Sequence, residues 1–238
     1  MDISVVIPAY NEQRRLPTTL QQWLAFLAGQ PYAAELLVVD DGSADQTAAV
    51  VLDLAARYPN VRLLQLPANQ GKGAAVRAGV LAASGARVFY ADADLNIAPT
   101  HLVPFLAFLD DGYDVVIGTR STRQYSATER SAARVLAGLL VQVVRRSILL
   151  PVFRDTQCGF KGFTRDAARA IFRRCTIASF AFDLEVLFLA RKLGYRVKEV
   201  RVAVERREGS TYSPRRDLLP FVRDIVKVRW QDLRGCYR

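Results

Sequence analysis

Val88-Phe89-Tyr90-Ala91-Asp92-Ala93-Asp94 is the stretch on which the reading of this chain turns. Its first four residues are apolar and β-prone, the pattern of a buried strand. Two carboxylates then follow, one residue apart, where that strand should end. Side chains alternate along an extended backbone, so residues i and i+2 point the same way. Asp92 and Asp94 can therefore aim at one point in space. Two hard oxygen ligands at the carboxyl end of a strand suit Mg²⁺ or Mn²⁺, with a substrate's phosphates supplying further ligands. A polar turn with two solvated aspartates has the same sequence, so the rest of the chain decides between the readings.

Outward from this stretch, apolar runs alternate with helical spacings. Residues 3–9, 35–39, 61–66, 87–91 and 115–118 read as strands. Leu16, Leu20, Trp23, Leu24 and Leu27 set a helix over 16–28, with Pro17 in its first turn. Further helices are expected to residue 58, capped by Ser43 or Asp45, and over 72–84 and 100–109. Such alternation with near-continuous apolar strands predicts an α/β fold: a mostly parallel central sheet with helices on both faces. Ligands of such sheets bind outside the carboxyl ends of the strands. Those ends carry Tyr10-Asn11-Glu12, Asp40-Asp41, Asn69 onward, Asp92/Asp94 and Thr119-Arg120. The result is a carboxylate-rich crevice with one arginine at its rim.

After Arg120 the alternation loosens. Residues 121–129 are polar and read as a loop, and 132–150 as one long helix. The apolar residues of that helix lie between Arg130/Arg134 and Arg145/Arg146. It is either a segment lying in a membrane interface or a core helix with snorkelling arginines. An apolar helix over 180–193 carries Asp183 and Glu185, either as ligands or as buried partners of arginines. A strand is expected over 197–204, and a helix with basic and apolar faces over 218–230. This C-terminal portion is expected to be helical and membrane-facing.

The 238 residues are 51% hydrophobic and carry a formal net charge of +10. That length and core fit one domain. Arginine dominates from Arg120 onward, so the second half wants an anionic partner: phosphates, nucleic acid or an acidic membrane surface. No RNA-binding aromatic motif or recognition helix accompanies the charge, and no nucleic-acid partner is expected. Three cysteines without C-x-x-C spacing argue against a disulfide framework. The single histidine, His101, argues against His-based zinc sites and a His-dependent triad. Met1 is followed at once by an acidic residue and a strand, so no leader is expected. No apolar run reaches the roughly 18 residues needed to span a bilayer.

Asn69-Gln70-Gly71-Lys72-Gly73 follows a strand and opens a helix, as a phosphate-binding loop would. The first strand turn, Pro8-Ala9-Tyr10-Asn11-Glu12, has no glycine, which counts against a Rossmann dinucleotide site. Val5-Val6-Ile7-Pro8-Ala9-Tyr10-Asn11-Glu12, Val38-Val39-Asp40-Asp41-Gly42-Ser43, Gly71-Lys72-Gly73 and Asp92-Ala93-Asp94 stand in order at strand ends. Together they resemble the family 2 inverting glycosyltransferases with the GT-A fold. Asp155-Thr156-Gln157-Cys158-Gly159-Phe160-Lys161 and Phe180-Ala181-Phe182-Asp183-Leu184-Glu185 narrow the resemblance to polyprenyl-phosphate sugar transferases. They look most like the dolichyl-phosphate β-glucosyltransferase type, with dolichyl-phosphate mannose synthase a close relative.

The resemblance implies a nucleotide-sugar site at Pro8, Tyr10, Glu12, Val38, Asp40, Asp41, Lys72, Asp92, Ala93 and Asp94. It implies a metal, Mg²⁺ or Mn²⁺, on Asp92 and Asp94. It gives Arg120, Gln157, Arg206 and Arg207 to phosphates and acceptor. Asp94, Arg120 and Asp183 are the candidate catalytic residues. Asp40 could instead cap its turn, and Gln157 could instead satisfy a buried backbone group. Relatives usually carry a lysine after Gly-Ser late in the chain; here Gly209-Ser210 is followed by Thr211, and Arg207, Arg215 or Arg216 could replace that charge. Residues 1–120 become the nucleotide-sugar half of a single 1–238 domain, and 121–238 the acceptor half. The expected reaction moves a hexose from a nucleotide diphosphate sugar, UDP-glucose or else GDP-mannose, to a polyprenyl or dolichyl phosphate. The enzyme would be peripheral on the cytoplasmic face of a membrane. An acceptor hydroxyl would instead need a base, for which Asp183 and Glu185 are the candidates.

Overall fold

The computed structural model describes residues 1–120, 153–204 and 214–237, without the side chains of 214–219. The expected loop over 121–129, the helix over 132–150, and Arg206, Arg207 and Thr211 lie outside the described residues, as do the side chains of Arg215 and Arg216. Seven described strands form one sheet in the order β3-β2-β1-β4-β6-β5-β7. They are β1 Ile3–Ala9, β2 Ala34–Asp40, β3 Val61–Gln65, β4 Arg87–Ala91, β5 Val115–Arg120, β6 Phe160–Thr164 and β7 Val197–Val202. The described helices are α1 Leu16–Ala28, α2 Thr47–Arg57, α3 Lys72–Ala82, α4 Leu102–Asp110, α5 Arg165–Arg174, α6 Phe182–Lys192 and α7 Pro214–Leu233.

The first strands behave as their apolar runs require. All seven residues of β1 and of β2 are buried, as expected for parallel strands covered on both faces. Alternation splits their side chains between two cores. Val5, Ile7 and Phe89 pack with Leu16, Trp23 and Phe105 on one face. Val6 and Tyr90 pack with Val76, Phe172 and Phe182 on the other. Among the described residues no helix is long and apolar enough to cross a membrane.

The sheet departs from the sequence expectation at its centre. β6 pairs antiparallel with both β4 and β5, while the other pairings are parallel. Phe160-Lys161-Gly162-Phe163-Thr164 does not read as a central strand, because it holds a lysine and a glycine. Lys161 is nevertheless fully buried. Gly162 lies where a Cβ would come 2.4 Å from the Phe89 ring, so only glycine lets the strands approach. Helix α5 was also not expected. Its signals were Thr164, whose side chain caps it, Asp166 in the first turn, and Arg173 and Arg174 in the last.

Reversal of β6 has one consequence for the site. The segment that precedes it, 155–159, arrives at the edge where β1, β2 and β4 end. The sheet thus draws on both halves of the chain.

Candidate active site

The first wall of the crevice is a pair of interlocked turns after β1 and β2. Asn11 adopts a left-handed backbone, φ 55°, which asparagine tolerates better than most residues. Its N–H donates to Ser43 Oγ at 2.9 Å, and its Oδ1 accepts from Ala44 N at 2.9 Å. Glu12 N donates to Thr47 Oγ1 at 2.8 Å, and Gln13 N to Asp45 at 3.1 Å. Asp45 caps α2 as expected, its Oδ1 accepting from Thr47 N, the first residue of the helix, at 2.9 Å; its other oxygen and Ser43 hold the two turns together. Tyr10 stands out of this wall, 46% exposed. Pro8 and Val38 are buried inside their strands.

Asp40 and Asp41 are both buried. Asp40 accepts from Ser43 N at 3.1 Å, so it does brace its own turn, and from Gln65 Nε2 at 3.4 Å. Asp41 accepts from Gln70 N and Gly71 N, each at 2.8 Å. It therefore shapes the glycine loop before α3. Gly71 has φ +98°, and a Cβ there or at Gly73 would fall within 2.5 Å of the backbone of 177–178. Those two glycines let the loop before α6 seat against the start of α3, where Gly73 N donates to Ala178 O at 2.7 Å.

β4 ends at Ala91, and Ala93 and Asp94 lie in a turn and not in an extended strand, but burial still alternates. Asp92 and Asp94 are half-buried, while Ala91, Ala93 and Leu95 are buried. Ala93 is fixed through its carbonyl, which accepts from Thr19 Oγ1 at 2.6 Å. Asp94 is braced by Asn96, through both N and Nδ2. Burial and the charge of Asp92 raise the pKa of Asp94 above its ordinary value. Lys72 Nζ lies 2.5 Å from Asp92 Oδ1. Burial works against the lysine's charge, but Asp92 and Asp183 outweigh it and raise its pKa. The Lys72 Nζ is also 5.7 Å from the ring centre of Phe180, a half-exposed aromatic before α6. Arg15 holds Glu12 through two contacts, 2.6 and 2.5 Å, and lies close enough to feel the charge of Asp94.

Two hard carboxylates side by side, one of them destabilised by the other, fit a small divalent cation. Among the described residues no third acidic, histidine or cysteine ligand joins them, so phosphate oxygens and water would complete the shell of Mg²⁺ or Mn²⁺.

Arg120 is at the rim, as expected, and is already engaged. Its Nε and Nη2 lie 2.6 and 3.0 Å from the two oxygens of Asp155. That pair lowers the Asp155 pKa despite partial burial. Gln157 is exposed at the same edge and its backbone N donates to Asp155 at 3.2 Å.

Asp183 and Glu185 are both buried and hydrogen-bonded within the protein. Asp183 is 3% exposed and takes hydrogen bonds from Tyr90 Oη and Lys161 Nζ. Its partner is thus a lysine and not an arginine, and the carboxylate lies under the crevice. Glu185 accepts from Thr176 N, Ile177 N, Thr176 Oγ1 and Tyr237 Oη at 2.6–3.0 Å. It ties the loop before α6 to the end of the chain.

Glycosyl transferase family 2 matches residues 4–174. The dolichyl-phosphate beta-glucosyltransferase of Drosophila melanogaster is 37% identical, over 100% of this chain and 77% of that protein. Those of Dictyostelium discoideum (35%, 99% and 76%) and Homo sapiens (32%, 99% and 77%) are similar to it too. Among solved structures, the glucosyl-3-phosphoglycerate synthase of Mycobacterium tuberculosis shares the fold. Its complex with UDP aligns at TM-score 0.69 and 21% identity, over 99% of this chain and 80% of that one. The same enzyme with Mn²⁺, UDP-glucose and phosphoglyceric acid aligns at TM-score 0.67 and 20% identity, over 95% and 78%.

Proposed function

The chain belongs to glycosyl transferase family 2, and on that premise we propose that it transfers glucose from UDP-glucose to a dolichyl or polyprenyl phosphate, inverting the anomeric carbon. Similarity over the whole chain to enzymes named for dolichyl-phosphate glucosylation supports the acceptor and the sugar. The observation that carries the reading is the cluster of Asp92, Asp94 and Lys72 beside a glycine loop, at the carboxyl edge of the sheet.

The chemistry asks little acid–base work of the protein. A phosphate monoester has its second pKa near ~6, so the acceptor is already largely dianionic at neutral pH. Its oxygen attacks without a dedicated base. The leaving diphosphate needs its growing charge neutralised, and a divalent ion on Asp92 and Asp94 would supply Lewis-acid stabilisation there. Lys72 adds a fixed cation on the same side, at the positive end of α3. Arg120 is placed for the acceptor phosphate, which would compete with Asp155 for its guanidinium. Arg206 and Arg207 are assigned to the phosphates from the sequence alone. Tyr10 and the Asp40 turn form the wall on which a nucleoside would lie.

Location at the cytoplasmic face of a membrane, as a peripheral protein, rests on the +10 charge concentrated in the second half and on a lipid acceptor. A hydroxyl acceptor is disfavoured by the burial and ion pairing of Asp183. GDP-mannose is the alternative donor.

The test is UDP release from UDP-glucose, with a short-chain polyprenyl phosphate in detergent and Mg²⁺ or Mn²⁺. Release that needs both lipid and metal is expected. GDP release from GDP-mannose with no UDP release from UDP-glucose would refute the donor, and UDP release without lipid phosphate would refute the acceptor.

A further inference from the structure

Beneath Asp92 lies a buried polar cluster that the proposed chemistry does not use. Lys161 is fully buried in β6. Its Nζ donates to Asp183 Oδ1 and to the carbonyl of Cys158, the latter at 2.7 Å. Tyr90 Oη donates to the same Asp183 oxygen. Lys161 and Tyr90 face each other in the β4–β6 ladder, with the ammonium 5.3 Å from the Tyr90 ring centre.

The Cys158 carbonyl is the point where this cluster meets the site. Lys161 closes the turn Cys158-Gly159-Phe160 onto itself by holding that carbonyl. Gly159 then sits directly against the first aspartate. Asp92 N donates to Gly159 O at 3.2 Å. A Cβ on Gly159 would come 1.9 Å from Asp92 Oδ2. Backbone and carboxylate of Asp92 are thus both set against this one turn.

A buried ion pair is weak as a source of stability. Its desolvation offsets most of its attraction, and apolar residues of similar shape often serve as well. What such a pair supplies here is a fixed position for one carbonyl. We propose that the Tyr90–Asp183–Lys161 cluster is a positioning device for the metal and diphosphate site, acting through Cys158 O and Gly159 on Asp92. Asp183 is then a positioning residue and not a general base. The proposal rests on the reading of Asp92 as a metal ligand.

The test separates fold from site. The triple variant Tyr90→Phe/Asp183→Leu/Lys161→Met replaces the polar groups of the cluster with apolar ones. Tyr90→Phe alone removes one hydroxyl and leaves the ion pair in place. Each is compared with the wild type for thermal unfolding, and for Mn²⁺ binding with and without UDP, read by the paramagnetic resonance of free Mn²⁺. Outer-shell partners of metal ligands typically matter by about 10–100-fold in affinity. The expected result is a loss of that size in Mn²⁺ affinity for the triple variant, with cooperative unfolding retained. Tyr90→Phe is expected to lose roughly threefold, the scale of one buried hydrogen bond. If the triple variant does not fold, Tyr90→Phe decides. Wild-type Mn²⁺ affinity in a folded triple variant would overturn the proposal, as would an unchanged affinity in Tyr90→Phe. Absence of Mn²⁺ binding by the wild type itself would overturn the metal reading, and this proposal with it.

Discussion

Two carboxylates at opposite ends of the same sheet are treated in opposite ways. Glu35, at the amino end of β2, is 2% exposed. It accepts from Ser4 Oγ at 2.5 Å, from Ser84 N and Oγ at 2.8 and 2.7 Å, and from Arg62 at 2.6 Å. Burial alone would raise its pKa; those donors outweigh it and bring it to about 2. Asp94, just past the carboxyl end of β4, is braced by Asn96, and burial together with the charge of Asp92 raises its pKa. A carboxylate surrounded by donors stabilises the fold. One set against a second carboxylate stores unfavourable charge that a cation can relieve. The contrast divides the sheet into an end that holds the structure and an end that binds.

The sharpest way to break this contrast is to neutralise one residue at each end. Asp94→Asn should lower turnover by roughly 10²–10³-fold, the scale for losing a main electrostatic stabiliser, with the melting temperature unchanged or slightly raised. Glu35→Gln should do the reverse. It leaves several buried donors poorly matched and should cost about 3 kcal/mol of unfolding free energy in a denaturant titration, with KM for the donor unchanged. A stability loss in the first variant, or an activity loss in the second, would end the division.

A smaller effect is expected at Lys72, which joins the two kinds of behaviour because it pairs with Asp92. Lys72→Met should weaken UDP binding about tenfold, as expected for a lost charged hydrogen bond. The same variant should bind Mn²⁺ more tightly in the absence of nucleotide, since the cation competing for Asp92 is gone. Calorimetric titration of each ligand checks both directions. Comparable in size to the Glu35→Gln loss is the pH dependence of Glu35. Its pKa is depressed on folding, so its contribution is complete above the ordinary value of 4.5 and is lost as pH falls through about 2. The wild type should therefore lose stability relative to Glu35→Gln between those values, and the two should converge at the acid end.

The site was unevenly legible in the sequence. Asp92 and Asp94 were found because a hydrophobic run that stops at two carboxylates marks a strand end locally, although the strand itself stops at Ala91 and the second carboxylate lies in a turn. The turns at Asn11, Asp40 and Gly71 were likewise visible, since each depends on a residue type suited to that backbone. Lys161 was not legible as a strand residue, because a lysine in the core is meaningful only once its partners are known. Asp183 was visible as an acid on an apolar helix, but its partners come from 93 and 22 residues away. Nothing local separates such an acid from a base that faces a ligand. Glu185 was open to the same confusion, and Tyr237, near the end of the chain, resolves it.

By itself the sequence determined the alternation of β1 to β5 with their helices, the face on which ligands gather, and the family. These follow from periodicities of two and of about 3.6 residues and from short motifs at strand ends, all of which act within a few residues. The tertiary structure decided the reversal of β6, the seating of Gly159 against Asp92, and the sinking of Asp183 onto Lys161. Each depends on desolvation and on contacts between segments far apart in the chain. A group's burial is a property of what packs around it, which no local pattern contains.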